Sequence, residues 1–201
     1  MSHDRRRYHY IRFYKPFGVL SQFTPEHGHL TLKDFGPFPQ DVYPVGRLDL
    51  ESEGLILLTN DNAVKHRASD PKFEHPRTYC VQVERIPDAA ALETLRSGVI
   101  VGGRRTKTAE ARLLEEPHFP PRSVPIRFRK TVPTAWIEII LREGRYHQVR
   151  KMTAAVGHPT LRLIRTAIGN LGLCDLQPGE SRALSNSEIA LLRSSLGIRP
   201  R

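Results

Sequence analysis

The hydrophobic positions along the chain follow two different periods, and neither recurs as a regular repeat. Residues 77–85 (RTYCVQVER) and 134–143 (TAWIEIILRE) alternate their side chains with a period of two, which is typical of strands. In the second stretch, Ile137, Ile139 and Leu141 form one fully apolar face. Both stretches therefore predict strands that cover a hydrophobic core.

Three further stretches follow a helical period. Asp88 is a residue type that begins helices and Gly98 is one that ends them, so they bound the first predicted helix. The second predicted helix spans residues 146–159, where a glycine and a proline supply the stop signal. The third begins at Ser185 or Ser187. This mixture predicts an α+β fold with an antiparallel or mixed sheet.

The composition adds a strong positive charge to this picture. The chain has 201 residues, enough for one large domain or two small lobes, and 39% of them are hydrophobic. The 31 Lys and Arg residues exceed the 21 Asp and Glu residues and give a formal net charge of +10. Such an excess favours a polyanionic partner such as nucleic acid, and solubility is the plainer explanation. The basic residues gather in four clusters, which are Arg5 to Arg7 with Arg12 and Lys15, Arg104 to Lys107, Arg127 to Lys130, and Arg142 to Lys151.

Several classes of protein are disfavoured by what the sequence lacks. The two cysteines, Cys80 and Cys174, have no CxxC spacing, which favours a reducing cytoplasm. No apolar run approaches the roughly 18 residues of a membrane span, and the first residues do not follow a signal-peptide pattern. Phosphate-loop, Rossmann, HExxH and GxSxG motifs are absent, and the nine histidines show no recurring ligand spacing. We therefore expect an unsecreted protein with no metal site.

An acidic stretch, YPVGRLDLESEGLILLTND, interrupts this basic chain. A carboxylate near a phosphate-rich ligand is repelled unless a cation offsets its charge. Arg47 and Arg150 are candidates for that cation, and Asp49, held ionised in a dry pocket, would act as a nucleophile or base. The alternative is that Asp49 bonds only its own turn, while Glu51 and Glu53 solvate the start of a helix.

Arg150 stands beside the apolar stripe of the predicted 146–159 helix. On a helical wheel it shares a face with Tyr146, His147 and Ala154. An arginine at the edge of a buried surface commonly has a fixed partner. We expect that partner to be an acid.

Residues 117–133 (PHFPPRSVPIRFRKTVP) hold five prolines and four basic residues. This composition predicts an extended basic loop rather than a regular element. We expect the loop to lie along a substrate or to be partly mobile.

Three ordered stretches resemble the signature motifs of the RsuA-type pseudouridine synthases, namely GRLDLESEGLILLTND, RTYCVQV and EGRYHQVRKM. KPFGVLSQFT and PTLRLIRTAIG are similar to the regions that flank those motifs, so the resemblance extends from Lys15 to Gly169. It implies an α+β catalytic fold with a central, mainly antiparallel sheet, flanking helices and a basic cleft. Many members begin with a small S4 RNA-binding domain, whereas here the catalytic strand starts almost at once. We therefore expect a single catalytic domain over residues 1–201, with two lobes sharing one sheet, as in the S4-lacking branch.

The resemblance also implies roles for individual residues. Asp49 corresponds to the nucleophile that attacks C1′ of the target uridine or, in an older proposal, C6 of its ring. Arg150 corresponds to the basic residue that keeps this nucleophile charged. Tyr79, which its strand pattern alone would place in the core, corresponds to the tyrosine that stacks on the flipped base and is a candidate for removing the C5 proton. Arg47 corresponds to the residue that fills the gap left in the RNA stack. The other RNA-binding positions implied are Leu48, Arg145, His147, Gln148, Lys151 and Arg165.

The implied activity is the isomerisation of a specific uridine in 23S rRNA to pseudouridine, without a cofactor. Two other functions remain open from the residues. A non-catalytic RNA-binding or ribosome-assembly protein would keep the basic clusters without using Asp49, and an N-glycosidase would release free uracil. We expect the partner to be 23S rRNA or an assembling large ribosomal subunit, with no membrane association, and the protein to be a cytoplasmic monomer.

Overall fold

Most of the regular structure is in strands. A computed structural model describes residues 7–126, 129 and 131–199, and within those ranges the chain forms thirteen strands and four α-helices. The strands are β1 (Tyr10–Lys15), β2 (Val19–Leu20), β3 (Leu30–Thr31), β4 (Tyr43–Pro44), β5 (Glu53–Thr59), β6 (Arg77–Glu84), β7 (Ile100–Val101), β8 (Arg104–Arg105), β9 (Glu110–Leu114), β10 (Thr134–Leu141), β11 (Thr160–Ile168), β12 (Leu171–Gly172) and β13 (Ser181–Ala183). The helices are α1 (Asn62–Ser69), α2 (Ala89–Ser97), α3 (Gln148–Ala155) and α4 (Asn186–Ser195).

Nine of these strands form the central sheet. Their order is β13, β1, β5, β11, β6, β10 and β9, with β4 beside β5 and β12 beside β11. Neighbouring strands in this sheet are antiparallel except for β5 and β11, which are parallel. Helices α2 and α3 pack on β6 and β10 through one shared cluster of buried apolar side chains. The predicted α+β class and mainly antiparallel sheet are confirmed.

Strand β5 lies within the sheet because its side chains are apolar on both faces. All seven of its residues are buried, as a strand covered from both sides requires. At its start, Gly54 has a φ of +108°, and a Cβ atom there would lie 2.3 Å from the carbonyl oxygen of Arg165. Only glycine permits this approach of β5 to β11. The start of β5 is therefore held directly against Arg165, its partner region in the parallel pair.

The predicted starts of two helices are confirmed by their capping contacts. The Asp88 carboxylate accepts a hydrogen bond from the amide of Ala91 at 2.8 Å, and Gly98 follows the last residue of α2. Of the two serines proposed as the start of α4, Ser185 is the cap. Its hydroxyl accepts from the amide of Glu188, whose carboxylate accepts from the amide of Ser185 at 2.7 Å.

Helix α3 begins two residues later than the sequence pattern predicted. His147 has a φ of 54°, which lies outside the right-handed helical region. The amide of Arg145 donates to the side-chain oxygen of Gln148 at 3.0 Å and closes a turn ahead of the helix. Tyr146 and His147 therefore do not share a helical face with Arg150, and that part of the prediction is wrong.

Two residues of the first predicted basic cluster are buried and do not reach solvent. Arg12 is 2% exposed, donates to the carbonyl oxygen of Gly172 at 3.1 Å and pairs with Glu188. Lys15 is fully buried. The interpretation of Arg12 and Lys15 as phosphate contacts is therefore wrong. Four other members of the clusters lie outside the described residues, namely Arg5, Arg6, Arg127 and Lys130.

The proline-rich segment forms no helix or strand in its described part, residues 117–126, 129 and 131–133. It nevertheless has contacts with the sheet. The ring of Phe119 packs on Trp136 with centroids 5.6 Å apart, and the Arg122 guanidinium lies 4.2 Å from the centroid of the Phe17 ring. Among all the residues that the structure describes, no helix is long and apolar enough to cross a bilayer.

Candidate active site

The loop that carries Asp49 connects β4 to β5, and its main chain is fixed on both sides. The amide of Leu48 donates to the hydroxyl of Ser21 at 3.0 Å, and the same hydroxyl donates to the Leu48 carbonyl at 2.8 Å. The amide of Ser52 donates to the carbonyl of Asp49 at 3.0 Å and closes a turn. Leu48 is 8% exposed, so it anchors the loop in the core, while its neighbours Arg47 and Asp49 remain accessible.

The buried side chain of Lys15 holds this loop from inside the protein. Its ammonium group donates to three main-chain carbonyls, including those of Val19 at 2.6 Å and Leu50 at 3.3 Å. Burial lowers the pKa of Lys15 to about 7, while the carboxylates of Glu53 and Asp49 favour its charged form. The side chain that the sequence suggested as a phosphate contact is therefore an internal support for the Asp49 loop.

The Asp49 carboxylate faces a histidine, which forms an ion pair with it when the imidazole is protonated. The Oδ1 atom lies 3.5 Å from Nε2 of His147, and Oδ2 lies 3.5 Å from the hydroxyl of Ser52. The imidazole of His147 stacks on Tyr146, with ring centroids 4.0 Å apart. The Asp49 side chain is 33% exposed, so the carboxylate opens to a ligand while it contacts the protein. Glu53, which we considered as part of a helix start, instead begins β5 and is buried.

Arg150 contacts the Asp49 loop but not the carboxylate. Its Nη2 atom donates to the main-chain oxygen of Glu51 at 2.9 Å. The predicted ion pair between Asp49 and Arg150 is absent from this structure. Arg150 lines a separate cavity of about 270 Å³ together with Arg122 and other residues. The expected acidic partner of Arg150 is thus replaced by a carbonyl two residues beyond Asp49.

Arg165 places a buried guanidinium beside the start of β5, where its positive charge acts on Asp49 through space. It is 2% exposed, and its Nε atom donates to the carbonyl of Leu55 at 2.9 Å. Its Nη2 atom has no hydrogen-bond partner among the described residues. Burial lowers the pKa of Arg165, whereas Tyr79 and Asp49 favour its charged form. The sheet therefore adds a second guanidinium near the Asp49 loop, in addition to that of Arg150 on α3.

These elements enclose a small cleft of about 80 Å³ between the Asp49 loop and the loop before α3. Seven of the predicted site residues line it, namely Arg47, Leu48, Asp49, Tyr79, Arg145, His147 and Gln148. Arg150, Lys151 and Arg165 are not part of its lining. Six lining residues were missed, namely Ser52, Leu141, Glu143, Gly144, Val149 and Leu163. Glu143 was detectable, because an acid within the basic EGRYHQVRKM motif is the same signal that singled out Asp49.

Two of the predicted RNA-binding residues hold the wall of the cleft together. Arg145 pairs with Glu143 at 3.1 Å and donates to the carbonyl of Arg105 at 2.8 Å. The side-chain amide of Gln148 donates to Glu143 at 2.7 Å. Lys151 is exposed, with its ammonium 4.9 Å from the centroid of the Tyr146 ring. The hydrogen-bond donors of Arg145 and Gln148 are thus bonded to other groups of the protein.

Comparisons with known proteins agree with this arrangement. The family model described as RNA pseudouridylate synthase matches residues 9–155. The chain is 52% identical over 173 residues to the ribosomal large subunit pseudouridine synthase E of Xanthomonas campestris pv. campestris, covering 84% of this chain and 91% of that relative. It is 47% identical over 175 residues to the synthase E of Vibrio vulnificus, covering 87% of this chain and 74% of that relative.

A comparison of the whole fold with solved structures points to the same family. A crystal structure described as a pseudouridylate synthase superimposes with a TM-score of 0.77 and 29% identity, covering 92% of this chain and 74% of that one. The match to the family model includes both Asp49 and the loop before α3, which are the two sides of the cleft. The chain therefore belongs to the RNA pseudouridylate synthase family and is an isomerase.

Proposed function

We propose that this chain converts a specific uridine of 23S rRNA to pseudouridine and that Asp49 is the nucleophile. The observation that carries the proposal is the difference between the two carboxylates of the cleft. Glu143 accepts hydrogen bonds from Gln148 and from the amide of Lys107 and pairs with Arg145. Asp49 keeps a carboxylate that is one third exposed and faces the same cleft as Tyr79. Asp49 is therefore the carboxylate that a substrate atom can reach.

The proposed reaction is a balanced isomerisation. A carboxylate oxygen of Asp49 bonds to C1′ of the uridine, the N1–C1′ bond breaks, and the uracil anion stays in the cleft. The uracil rotates, its C5 atom bonds to C1′, and the bond between Asp49 and C1′ breaks. C5 loses its proton and N1 gains one, so no cofactor is consumed. Attack on C6 of the ring is the alternative first step.

Tyr79 and Arg47 suit the handling of an extruded base. A stacked uridine does not expose C1′ and both ring faces, so it must leave the RNA stack at a cost of a few kcal/mol. Tyr79 lines the cleft beside Asp49, where its ring can stack on the uracil and its phenolate oxygen, once deprotonated, can take the C5 proton. Arg47 is exposed at the rim, where a long side chain can fill the gap in the RNA.

Three basic side chains surround the proposed nucleophile in different ways. His147 faces one carboxylate oxygen of Asp49, and the buried charge of Arg165 acts on it through space. Arg150 holds the loop through the carbonyl of Glu51. We assign to His147 and Arg165 the electrostatic support of the carboxylate, and to Arg150 the positioning of its loop.

The names of the relatives support large-subunit rRNA, free or in an assembling subunit, as the partner. The monomeric state, the cytoplasmic location and the single-domain boundaries stay predictions.

The function is tested by the product that the wild-type protein forms. The protein is incubated with transcripts of 23S rRNA, pseudouridines are mapped, and free uracil is measured in parallel. We expect pseudouridine at one position and no uracil. Tight binding without any new pseudouridine would leave a non-catalytic RNA-binding protein as the better explanation, and release of uracil would indicate an N-glycosidase.

Arg150→Ala tests the positioning role. We expect kcat to fall about 100-fold, because a small displacement of a catalytic group costs about that much. The melting temperature should fall by only about 2–4 °C, since one hydrogen bond contributes about 1 kcal/mol. Rates and thermal unfolding are measured on the same preparations.

Arg96→Ala is the matched control for that experiment. Arg96 also donates to a main-chain carbonyl, that of Ala111 at 2.9 Å, but it lies on α2 away from the cleft. We expect a similar small change in melting temperature and a normal kcat. Normal turnover in Arg150→Ala would remove Arg150 from the proposed mechanism.

A further inference from the structure

A second groove adjoins the Asp49 cleft and shares Arg47 with it. The groove has a volume of about 560 Å³ and runs from the Asp49 loop towards β4 and α1. Its lining includes Gln22, Phe23, Tyr43, Arg47 and Lys65, together with Ser21. Ser21 fixes the Asp49 loop and Arg47 lies at its rim, but no role described above uses the other residues of the lining. The groove is thus continuous with the site and not explained by it.

Tyr43 presents a large aromatic surface in this groove. It is 55% exposed, although its neighbour Val42 is 2% exposed and belongs to the core. Tyr43 is the first residue of the short strand β4, which pairs with β5 at the edge of this part of the sheet, with Tyr43 opposite Thr59. Phe23 also lines the groove and is held from behind by the ring of Phe38, with centroids 5.9 Å apart. Packing in the core does not explain why Tyr43 is aromatic.

The charges along the groove have one sign. The Lys65 ammonium lies 5.1 Å from the centroid of the Tyr43 ring, and Arg47 closes the groove at the side of Asp49. The lining contains no Asp or Glu. Among the residues that the structure describes, the side chain of Arg47 has one weak polar contact, at 3.5 Å, with the side-chain oxygen of Gln22. An aromatic ring between two cations matches a nucleotide, because the base stacks and the phosphate pairs.

We propose that this groove binds a nucleotide that flanks the target uridine in single-stranded form. Its base stacks on the exposed surface of Tyr43, and its phosphate pairs with Lys65 and Arg47. The proposal rests on the function proposed above and adds a position for the neighbouring RNA. Sequence-tolerant recognition of unpaired RNA generally combines an aromatic platform with cations along the backbone.

The short separation of Tyr43 and Asp49 along the chain places the groove within a few nucleotides of the target uridine. Tyr43 and Asp49 are six positions apart in the chain, so their main-chain atoms lie within about 21 Å of each other. An RNA strand covers that span in a few nucleotides. The nucleotide on Tyr43 therefore lies within about three positions of the uridine in the cleft.

The first test locates the nucleotide directly. An RNA oligonucleotide that contains the mapped uridine is made in several versions, each with one fluorescent 2-aminopurine at a different flanking position. Each version is titrated with Asp49→Asn protein, which keeps Tyr43 and Lys65. We expect fluorescence quenching at one position within three nucleotides of the uridine, and we expect Tyr43→Ala in the same background to remove it. Quenching at no position, or quenching that persists in Tyr43→Ala, would overturn the proposal.

The second test measures affinity. Tyr43→Ala should raise the Kd for the oligonucleotide about 5- to 150-fold, and Tyr43→Phe should bind nearly as well as the parent because the ring is kept. Lys65→Ala should reduce the slope of log K against log salt by about 0.7, the contribution of one phosphate contact on a single strand. Unchanged affinity in Tyr43→Ala together with an unchanged slope in Lys65→Ala would contradict the assignment.

Lys72→Ala is the matched control. Lys72 also lies over an aromatic ring, that of Phe73 at 4.8 Å, but neither residue lines the groove or the cleft. It should leave both the Kd and the salt slope as they are in the parent. Wild-type protein is assayed for pseudouridine on the same RNA. Absence of product there would defeat the proposed function, whereas product formation with unaltered binding by Tyr43→Ala would defeat the groove assignment alone.

Discussion

Replacing Asp49 with asparagine is expected to lower the rate of pseudouridine formation by about 10⁴-fold or more, as loss of a covalent nucleophile does in other enzymes. Asparagine has nearly the same size as aspartate, so the turn closed by Ser52 and the burial of Leu48 should be kept. Its amide oxygen is a much weaker nucleophile than a carboxylate. The loss should therefore appear in turnover and not in folding. Single-turnover rates on rRNA transcripts measure the effect.

RNA binding by Asp49→Asn supplies the control. Removing a negative charge from a site that faces phosphates should leave the affinity unchanged or raise it. Thermal unfolding should be close to that of the wild type. Pseudouridine formation at the normal rate by a folded, RNA-binding Asp49→Asn protein would show that another group is the nucleophile.

The second large effect is expected at the buried ion pair between Arg162 and Glu53. Two parallel hydrogen bonds join the side chains, each 2.8 Å long, and the side chains are 7% and 2% exposed. Arg162 also donates to the carbonyl of Pro120 at 2.9 Å. Arg162→Met leaves the Glu53 carboxylate buried without its partner, which typically costs about 3–5 kcal/mol. Urea unfolding should show a loss of that size in the free energy of unfolding.

A double variant distinguishes the cost of an unpaired buried charge from the cost of changing the side chains at these two positions. Glu53→Leu with Arg162→Met removes both charges, so it should recover a large part of the stability lost in Arg162→Met alone. The exposed pair of Arg112 and Glu138, 2.7 Å apart, gives a control, because Arg112→Met should cost no more than about 1 kcal/mol. Equal losses in Arg162→Met and Arg112→Met would argue against an uncompensated buried charge.

The Arg162 and Glu53 pair also has a consequence for the site. Glu53 is the first residue of β5 and lies four positions after Asp49. A change that moves the start of β5 would also move Asp49. We therefore expect Arg162→Met to show a lower kcat even at temperatures where it is fully folded, and the double variant to recover part of that loss.

Much of the local structure was predictable from the sequence, because it depends on neighbours in the chain. The alternation in 134–143 placed Ile137 and Ile139 on one face, and both are fully buried. The caps at Asp88 and Ser185 were readable because a capping side chain bonds an amide only a few residues away. The order of the motifs was enough to imply the family, which the comparisons confirm.

The charge partners in the site were not predictable in this way. The helical wheel gave Arg150 an acidic partner, but the structure gives it the carbonyl of Glu51 and leaves Asp49 to His147. A wheel shows which side of a helix a residue occupies, whereas a contact of 3 Å depends on where a distant loop is placed. His147 lies in the cleft and not on the face of α3 that the wheel predicted. Its left-handed conformation keeps it in the turn before the helix.

By itself, the sequence determined strands β6 and β10, the presence of helices α2, α3 and α4, the family and the acidic loop in a basic chain, since these follow from short-range periodicity and from motif order. Only the tertiary structure decided that Lys15 supports the loop from inside the protein and that Arg165 is buried beside the start of β5. The position of Lys15 depends on the antiparallel pairing of β1 with β5, and that of Arg165 on the parallel pairing of β5 with β11 across more than a hundred residues. Burial and charge at one point in space come from segments far apart in the chain, and the spacing of residues along the chain does not record them.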